Sequence, residues 1–411
     1  MDNENFNSAS GLPRLPNGWT YAPLQELLNP AGISYGIVQP GPPDPSGIPI
    51  IRVKDIKNGK VNQGDPLKVA PEVEEKHSRT RLEGGEVLIT LVGSVGEVAI
   101  ASNDLSGWNV ARAIGVLRLS EHISGPWLKA CLDSDTAQHY MRQRLNTTVQ
   151  ATLNLRDVRT IPIVMPPERD RIAITGLIEA LDNKIAVNER IAAKTDALAS
   201  SMFEALLASS EEINQVLLAE VADVNKSSVK PFGEGTLRYV DISSVGIGSY
   251  DWPEETSWAD APGRARRKAA VGDTIWSTVR PNRRSHALVL DDDPDLVFST
   301  GLAVLTPRSV GPAFLYEVTR TAAFQGYLES VAEGSAYPAV RADRFKAAPL
   351  ELPSPEERHR FEGRVMAIRL RAHQSNVESR TLATLRDTLL PQLMSGRLRV
   401  RDAEKIVEDH A

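Results

Sequence analysis

The chain repeats one order of segments along its 411 residues. Residues 85–92 match residues 272–279 at an offset of 187, and residues 52–56 match residues 238–242 at an offset of 186. A near-constant offset over many segments predicts two domains built on one plan. A length of 411 residues also suggests more than one domain, at roughly 100–200 residues each. The later matching segments are 115–119 with 302–306, 125–128 with 311–315, and 165–168 with 352–355.

Each copy begins with short β-branched runs that are broken by Gly, Pro, Asn and Asp. Such runs are typical of β-strands. Strands are predicted at residues 48–56, 87–92, 98–101 and 114–119 in the first copy, and at residues 239–242, 274–279, 287–290 and 303–306 in the second. Short helices are predicted at residues 126–145 and 312–329.

A long amphipathic helix is predicted at the end of each copy. Residues 171–208 contain no proline, and their 38 residues would span about 57 Å as a helix. In the second copy, Ser354 and Glu357 form a capping box with Pro355 at the first helical position, and Pro391 is predicted to kink or end the helix. Apolar side chains recur at helical spacing at Ile174, Ile178, Leu181 and Ile185 in the first helix, and at Phe361, Val365, Ile368, Ala372 and Leu389 in the second.

The two long helices are predicted to pack on each other. Residues 168–208 carry five basic and seven acidic side chains, a charge of −2, whereas residues 355–399 carry nine and five, a charge of +4. Asn188 interrupts one apolar stripe, and Ser375 and Ser379 interrupt the other. These polar positions either fix the register of the pair or mark a solvated slip in the heptads. The predicted fold is α+β, with two similar globular domains, a coiled-coil spacer of two long antiparallel helices, and a pseudo-twofold internal repeat.

Several classes of protein are excluded by what the sequence lacks. The single cysteine, Cys131, excludes a disulfide scaffold and is interpreted as a helix-core residue. The seven histidines are scattered, and no Walker loop or dinucleotide fingerprint is present. The acidic run at residues 291–295 has turn composition and is predicted to be a solvated loop. No apolar stretch approaches about 18 residues, so no membrane helix is predicted and a cytoplasmic location is expected. No catalytic residue and no metal site are predicted.

Basic residues cluster locally although the net charge is −6. Arginine offers a planar fork that fits phosphate oxygens or guanine O6 and N7, and Asn reads adenine in the same way. Any one of these residues could equally be a solvated surface cation, but the cluster as a whole favours nucleic acid. The predicted DNA-binding residues are Arg52, Lys54, Ser94, Arg112 and Thr148 in the first copy, and Arg264, Arg266, Arg267, Arg280, Asn282, Arg283, Arg284, Ser335 and Tyr337 in the second.

Motifs along nearly the whole chain resemble those of one family. They are residues 15–19 (Leu-Pro-Asn-Gly-Trp), the strand–Gly–x–x–Gly shape of residues 87–100, residues 154–158 through Pro166-Pro167-Glu168, residues 181–185 (Leu-Asp-Asn-Lys-Ile), and residues 385–396, which close on Leu-Leu-Pro-Gln-Leu-Met-Ser-Gly. Together they resemble the specificity (S) subunit of type I restriction–modification systems, which serve in defence against phage.

The resemblance implies a DNA-recognition subunit without catalytic activity of its own. Each of two target recognition domains would read one half of a bipartite, asymmetric site in double-stranded DNA. The implied boundaries are 1–167 and 211–353 for these domains, 168–210 and 354–397 for the spacer helices, and 398–411 for a C-terminal tail. The alternative is a non-catalytic scaffold whose duplicated domains bind protein or glycan and whose helices oligomerise.

The resemblance also implies partners for the two helices. They would dock two DNA adenine methyltransferase (M) subunits, and restriction (R) subunits could join the complex. No cofactor is expected in this chain, because S-adenosylmethionine and ATP belong to those partners. The residues predicted to dock partners are Ile174, Ile178, Leu181, Ile185, Phe361, Val365, Ile368 and Leu389.

Overall fold

A computed structural model describes residues 12–146, 150–230, 234–334 and 337–410. The chain forms two compact units. Unit 1 comprises Met1–Ile185 with Arg380–Ala411, and unit 2 comprises Ala186–Ser379. Two long helices, α5 (Glu168–Ser209) and α10 (Pro355–Met394), contribute residues to both units.

Unit 1 is built on a four-stranded sheet with the order β2-β10-β7-β8. A smaller sheet has the order β6-β3-β9, and the first and last strands of the unit, β1 and β11, pair with each other. The strands are β1 (Thr20–Pro23), β2 (Leu28–Tyr35), β3 (Ile48–Ile51), β4 (Ile56–Lys57), β5 (Lys60–Val61), β6 (Leu67–Val69), β7 (Val87–Thr90), β8 (Val98–Ile100), β9 (Asn109–Val110), β10 (Ile114–Leu119) and β11 (Pro162–Met165). The short helices are α1 (Pro71–Glu75), α2 (Gly125–Asp133), α3 (Asp135–Arg142) and α4 (Leu155–Arg159).

Unit 2 repeats this arrangement with a larger second sheet. Its main sheet has the order β13-β21-β18-β19, its second sheet the order β14-β17-β20-β15-β16, and β12 pairs with β22. The strands are β12 (Asn214–Leu217), β13 (Ala222–Val224), β14 (Ser227–Ser228), β15 (Thr236–Val240), β16 (Glu255–Ser257), β17 (Ala265–Lys268), β18 (Thr274–Ser277), β19 (His286–Leu288), β20 (Leu296–Ser299), β21 (Leu302–Pro307) and β22 (Pro349–Leu352). The short helices are α6 (Leu218–Val221), α7 (Pro312–Thr319), α8 (Ala322–Ser330) and α9 (Ala342–Lys346).

The strand orders of the two units confirm the internal repeat. Each main sheet has four strands that follow one another in the same order, and each unit closes by pairing its first strand with its last. The second sheet of each unit contains a parallel pair of strands, which is β3 with β9 in unit 1 and β15 with β20 in unit 2. Unit 2 extends this sheet by β17 and β14.

Two side-chain relationships define the packing of α5 on α10. Within unit 1, Arg386 Nη1 of α10 lies 2.7 Å from Asp182 Oδ1 of α5. Within unit 2, Phe203 of α5 meets Phe361 of α10 edge to face, with ring centroids 5.5 Å apart. Later residues of α5 therefore meet earlier residues of α10. The predicted antiparallel pairing is confirmed.

Polar residues in the middle of the helix pair are buried. Asn188 is fully buried and Ser375, at the equivalent position of the second copy, is 1% exposed. Their interpretation as a solvated slip is therefore wrong, because water does not reach them. A role in fixing the register of the pair stays a prediction.

Several sequence-based details differ from the structure. Residues 126–145 were expected to form one helix, but Ser134 takes an extended conformation and its hydroxyl caps α3 by accepting from Ala137 N–H at 3.4 Å. Pro391 lies inside α10 and does not end it. The helix continues for one turn without the bond that this proline cannot donate to the carbonyl of Asp387. Most of the predicted C-terminal tail is a helix, α11 (Val400–His410).

Candidate nucleic-acid interface

In unit 1, the turn after β7 lies beside the segment that precedes α4. Val92 pairs with Thr152, and the Gly93 N–H donates to the Ala151 carbonyl at 2.9 Å. Gly93 and Gly96 have φ angles of +81° and +92°, a conformation that glycine adopts without a Cβ clash. This tight turn presents the exposed Ser94 at its tip.

Unit 2 contains the same arrangement 187 residues later. Val279 pairs with Ala339, as Val92 pairs with Thr152, and Glu333 pairs with Ala339, as Asn146 pairs with Thr152. The Arg280 N–H donates to the Pro338 carbonyl at 2.7 Å. The structure therefore brings together, in both units, a loop and a small polar segment that are distant in sequence. The loops are residues 92–96 and 279–284, and the small polar segments are residues 150–152 and 337–339.

The loop of unit 2 holds two arginines in a left-handed conformation. Arg280 has φ 53° and Arg284 has φ 55°, and a single 3-10 turn, Pro281–Arg283, separates them. Such a conformation costs an L-residue roughly 1–2 kcal/mol. Hydrogen bonds hold it, because the Arg280 N–H donates to the Pro338 carbonyl and the Arg284 carbonyl accepts from the side-chain Nδ1 of His286 at 2.6 Å. Strained backbone of this kind clusters at functional sites.

The side chains of this loop form a cationic and aromatic surface. The guanidinium carbon of Arg280 lies 4.6 Å from the centroid of the Tyr337 ring, and Tyr337 is 69% exposed. Asn282, Arg283 and Arg284 are exposed as well. Arginine with an exposed aromatic ring suits the phosphates and bases of nucleic acid.

Arg264 of unit 2 and Arg112 of unit 1 lie beside these loops, at positions that do not correspond to each other in the repeat. The Arg264 carbonyl accepts from Thr300 N–H at 2.8 Å, and the neighbouring Gly301 carbonyl accepts from Thr278 N–H at 2.9 Å. In unit 1 the Arg112 N–H donates to the Ile37 carbonyl at 2.8 Å, and the next residue accepts from Leu91 N–H at 2.7 Å. Both arginine side chains are exposed, so each adds a cation beside its loop.

Residues 42–195 match the family model of the type I restriction modification DNA specificity domain. The match covers most of unit 1 and the beginning of α5, and there the chain is similar to this family. The resemblance that the motifs indicated is therefore confirmed.

A curated relative and a solved structure agree with this assignment. The type I restriction enzyme EcoBI specificity subunit of Escherichia coli is 29% identical over 169 residues, 41% of this chain. The matched part spans about a third of that relative, 35% of its length. The S subunit of the type I restriction–modification system from M. genitalium shares 15% identity at a TM-score of 0.57, with 93% of this chain and 98% of that chain covered. At this identity the likeness shows a shared fold.

Two of the predicted DNA-binding arginines, Arg52 and Arg266, are engaged by neighbouring residues of the chain. Arg52 binds Asp55 through Nε at 2.8 Å, which neutralises its charge, and this pair keeps the pKa of the Arg52 guanidinium above its usual value. Arg266 and Arg267 lie on β17 and are half-buried, and Arg266 Nη1 donates to the Ala265 carbonyl. These contacts weaken the prediction that Arg52 and Arg266 bind DNA. The Nε of Arg267 has no hydrogen-bond partner among the described residues, and DNA binding by Arg267 stays a prediction. Lys54 is exposed.

Two predicted residues, Thr148 and Ser335, lie outside the described residues. Their prediction as DNA-binding residues stays untested.

The predicted docking residues serve the packing of the chain itself. Ile174, Ile178 and Leu389 belong to the core of unit 1, and Phe361 and Val365 to that of unit 2. Leu181 and Ile185 are buried against α10, and Ile368 is partly buried. Partner docking by these side chains is not consistent with their burial, so it would require other residues of the same helices. The exposed apolar residues of α5 and α10 are Ile172, Val187, Leu198, Leu370 and Val377.

Sequence reasoning missed His286 and the ion-pair network behind the loop. His286 is buried, its ring stacks on Trp276 at 4.6 Å between centroids, and burial lowers its pKa to about 4. Behind it, Arg369 of α10 binds Glu317 of α7 and Asp196 of α5. No spacing signal in the sequence connects these residues, because they come from four separate elements.

The described residues contain no group of three or more His, Cys, Asp and Glu side chains that could hold a metal ion. In the acidic loop, Asp293 binds Arg238 at 3.2 Å and Asp291 accepts from the Tyr250 hydroxyl at 2.7 Å. Cys131 is buried as predicted, and burial raises the pKa of its thiol. Within the part of the chain described, no helix is long and apolar enough to span a membrane.

Proposed function

We propose that this chain is the DNA sequence-specificity subunit of a type I restriction–modification complex. Each unit would read one half of a bipartite, asymmetric DNA site. One observation supports this best, namely the loop that each unit places against its small polar segment, with exposed cations beside it. Because the loops differ in sequence, the two half-sites would differ too.

We infer that the two long helices would set the separation between the two readers. Half-sites one DNA turn apart lie about 34–36 Å from each other. Helix α5 has 42 residues, which correspond to about 63 Å at 1.5 Å per residue. In this proposal the pair of long helices would define the gap between half-sites.

We propose further that α5 and α10 dock two DNA adenine methyltransferase subunits through their exposed apolar side chains. Val187 and Leu198 on α5, and Leu370 on α10, are more than a third exposed. Burial of such side chains on a partner contributes about 25 cal/mol per Å² of apolar surface. Replacing Val187 and Leu198 by Asp should abolish co-purification with the methyltransferase subunit of the same organism.

In this assignment the chain catalyses nothing alone. S-adenosylmethionine would bind to the methyltransferase subunits and ATP to restriction subunits, where these are present. The full complex should methylate adenine only when this chain supplies the DNA contacts.

The dependence of DNA affinity on salt tests the proposal. The full-length chain should lose affinity steeply as salt rises, because cationic contacts release counterions from phosphates. The double variant Arg283→Ala with Arg284→Ala should reduce the slope of log K against log salt by up to about 2. A scaffold that binds protein or glycan predicts no DNA affinity and no such slope, and that result would reject the proposal.

A further inference from the structure

We propose that unit 2 reads a guanine in its half of the DNA site through Arg280, that Tyr337 is a positioning residue for that arginine, and that unit 1 has no counterpart of this contact. The inference rests on the proposed function and deepens it, because it assigns one base type to one unit.

The backbone of Arg280 is held from both sides. Its N–H donates to the Pro338 carbonyl at 2.7 Å, and its own carbonyl accepts from Arg283 N–H at 2.9 Å. The preceding residue, Val279, pairs with Ala339. The left-handed φ of 53° turns the chain sharply at this point. The Cα of Arg280 therefore has a fixed position relative to the segment that carries Tyr337.

The guanidinium of Arg280 lies over an aromatic ring and is not neutralised by a carboxylate of the described residues. Its guanidinium lies over the Tyr337 ring at 4.6 Å. Among the residues that the structure describes, no carboxylate forms an ion pair with Arg280, in contrast to Arg52 with Asp55 and Arg369 with Glu317. An aromatic ring restrains one face of the guanidinium plane and leaves the N–H groups at its edge to meet acceptors.

Guanine offers the acceptors that match this fork. In the major groove its O6 and N7 accept two parallel N–H bonds from one arginine, and no other base presents that pair. An arginine that is already restrained loses less rotamer freedom on binding, so more of the interaction energy appears as affinity. An exposed arginine that touched only phosphate would not need an aromatic ring to fix its plane.

The equivalent positions in unit 1 carry different chemistry. At the offset of 187 residues, Gly93 corresponds to Arg280 and Gln150 to Tyr337. These two residues are also neighbours, because a Cβ built on Gly93 would lie 3.2 Å from Gln150 Nε2. Both units thus place these two positions next to each other, but the side chains at the two positions differ between the units. Guanine recognition by this route belongs to unit 2 alone.

Selection from a randomised DNA library tests the inference. The full-length chain would be incubated with duplexes randomised over both half-sites, and the bound fraction sequenced. The wild-type chain should fix a guanine at one or more positions of one half-site. Arg280→Lys keeps the charge but removes the fork, so the guanine preference at one of those positions should fall about ten-fold or more. The other half-site should be unchanged.

Variants of Tyr337 separate positioning from structure. Tyr337→Phe keeps the ring and should retain the guanine preference, whereas Tyr337→Ala should reduce it as Arg280→Lys does. Arg308→Ala is the matched control, because Arg308 follows β21 in the same unit and pairs with Asp223 at 3.4 Å. It should change neither half-site. Thermal unfolding of each variant would be compared with that of the wild-type chain.

Three outcomes would overturn the inference. Retention of the guanine preference by Arg280→Lys would reject it and leave the proposed function intact. A selected site with no fixed guanine would do the same. Failure of the wild-type chain to enrich any bipartite sequence would reject both this inference and the proposed function.

Discussion

Asn188 of α5 donates a hydrogen bond from Nδ2 to Oε2 of Glu378 on α10, over 2.9 Å. Asn188 is fully buried, and its Oδ1 has no hydrogen-bond partner among the described residues. The hydroxyl oxygen of Ser375, at the equivalent place in the second copy, is likewise unsatisfied there. A partly satisfied polar layer lowers stability but penalises any other alignment of the helices.

Replacing Asn188 by Leu should therefore stabilise the helix pair and loosen its register. We expect the free energy of unfolding to rise by about 1 kcal/mol, measured by chemical denaturation. Discrimination between DNA sites whose gap differs by one base pair should fall. Asn183→Leu, at an exposed position of α5, is the control and should change neither quantity. Unaltered gap discrimination in Asn188→Leu would refute the register role.

Removal of Arg369 should destabilise unit 2 strongly. Arg369 is buried between Glu317 and Asp196, so Arg369→Met would remove one of the two arginines that pair with these carboxylates and leave Arg320, whose Nη1 lies 3.2 Å from Glu317 Oε2. Loss of a buried partner costs up to about 3–5 kcal/mol, and the remaining pair with Arg320 places the expected cost below that limit. Arg371→Met removes an exposed charge from the same helix and should stay within about 0.5 kcal/mol of the wild-type chain. Equal effects of the two variants in urea unfolding would contradict the assignment.

His286 should make the stability of unit 2 sensitive to acid. Burial, followed by the charge of Arg320, lowers its pKa from 6.5 to about 4. The unfolded chain therefore binds more protons between about pH 6.5 and pH 4. Stability is fully present above pH 6.5 and is lost as the pH falls toward 4, by about 3 kcal/mol. His286→Gln should flatten this part of the profile. A slope equal to that of the wild-type chain would show that other groups carry it.

Exchange of residues 213–353 with the matching part of a relative should change one half-site only. The segment begins next to β12 and ends after β22, which pair with each other. The exchange thus leaves α5 and α10 intact. Methylation-sensitive sequencing of a host genome that carries the hybrid would give both half-sites. Altered bases in both halves would contradict independent reading by the two units.

Helix ends could be predicted from the sequence where neighbouring residues determine them. The capping box is present, since Ser354 N–H and hydroxyl donate to Glu357 Oε2 at 3.0 and 2.7 Å. The start of a new helix after Ser134 could also have been predicted from the sequence, because serine is a preferred N-cap residue. The expectation of one continuous helix gave too much weight to the apolar pattern on either side of that residue.

The apolar stripes predicted burial but not its partner. Ile174 and Val365 lie at helical spacing for either an internal core or an interface, and periodicity does not distinguish these cases. The contacts within the candidate nucleic-acid interface were even harder to predict from the sequence. The pairing of Arg280 with Tyr337 joins residues 57 positions apart, through a left-handed backbone that no propensity of arginine indicates.

The pairing of the first and last strands in each unit has a consequence for how such chains change over time. Thr20 lies opposite Met165, and Asn214 lies opposite Leu352. The polypeptide therefore enters and leaves the globular part of each unit at neighbouring positions. Because these two positions are adjacent, a gene segment that encodes the globular part of one unit can be replaced by another segment whose ends meet in the same way. New recognition specificities can thus arise by recombination in a single step, and circularly permuted chains should still fold.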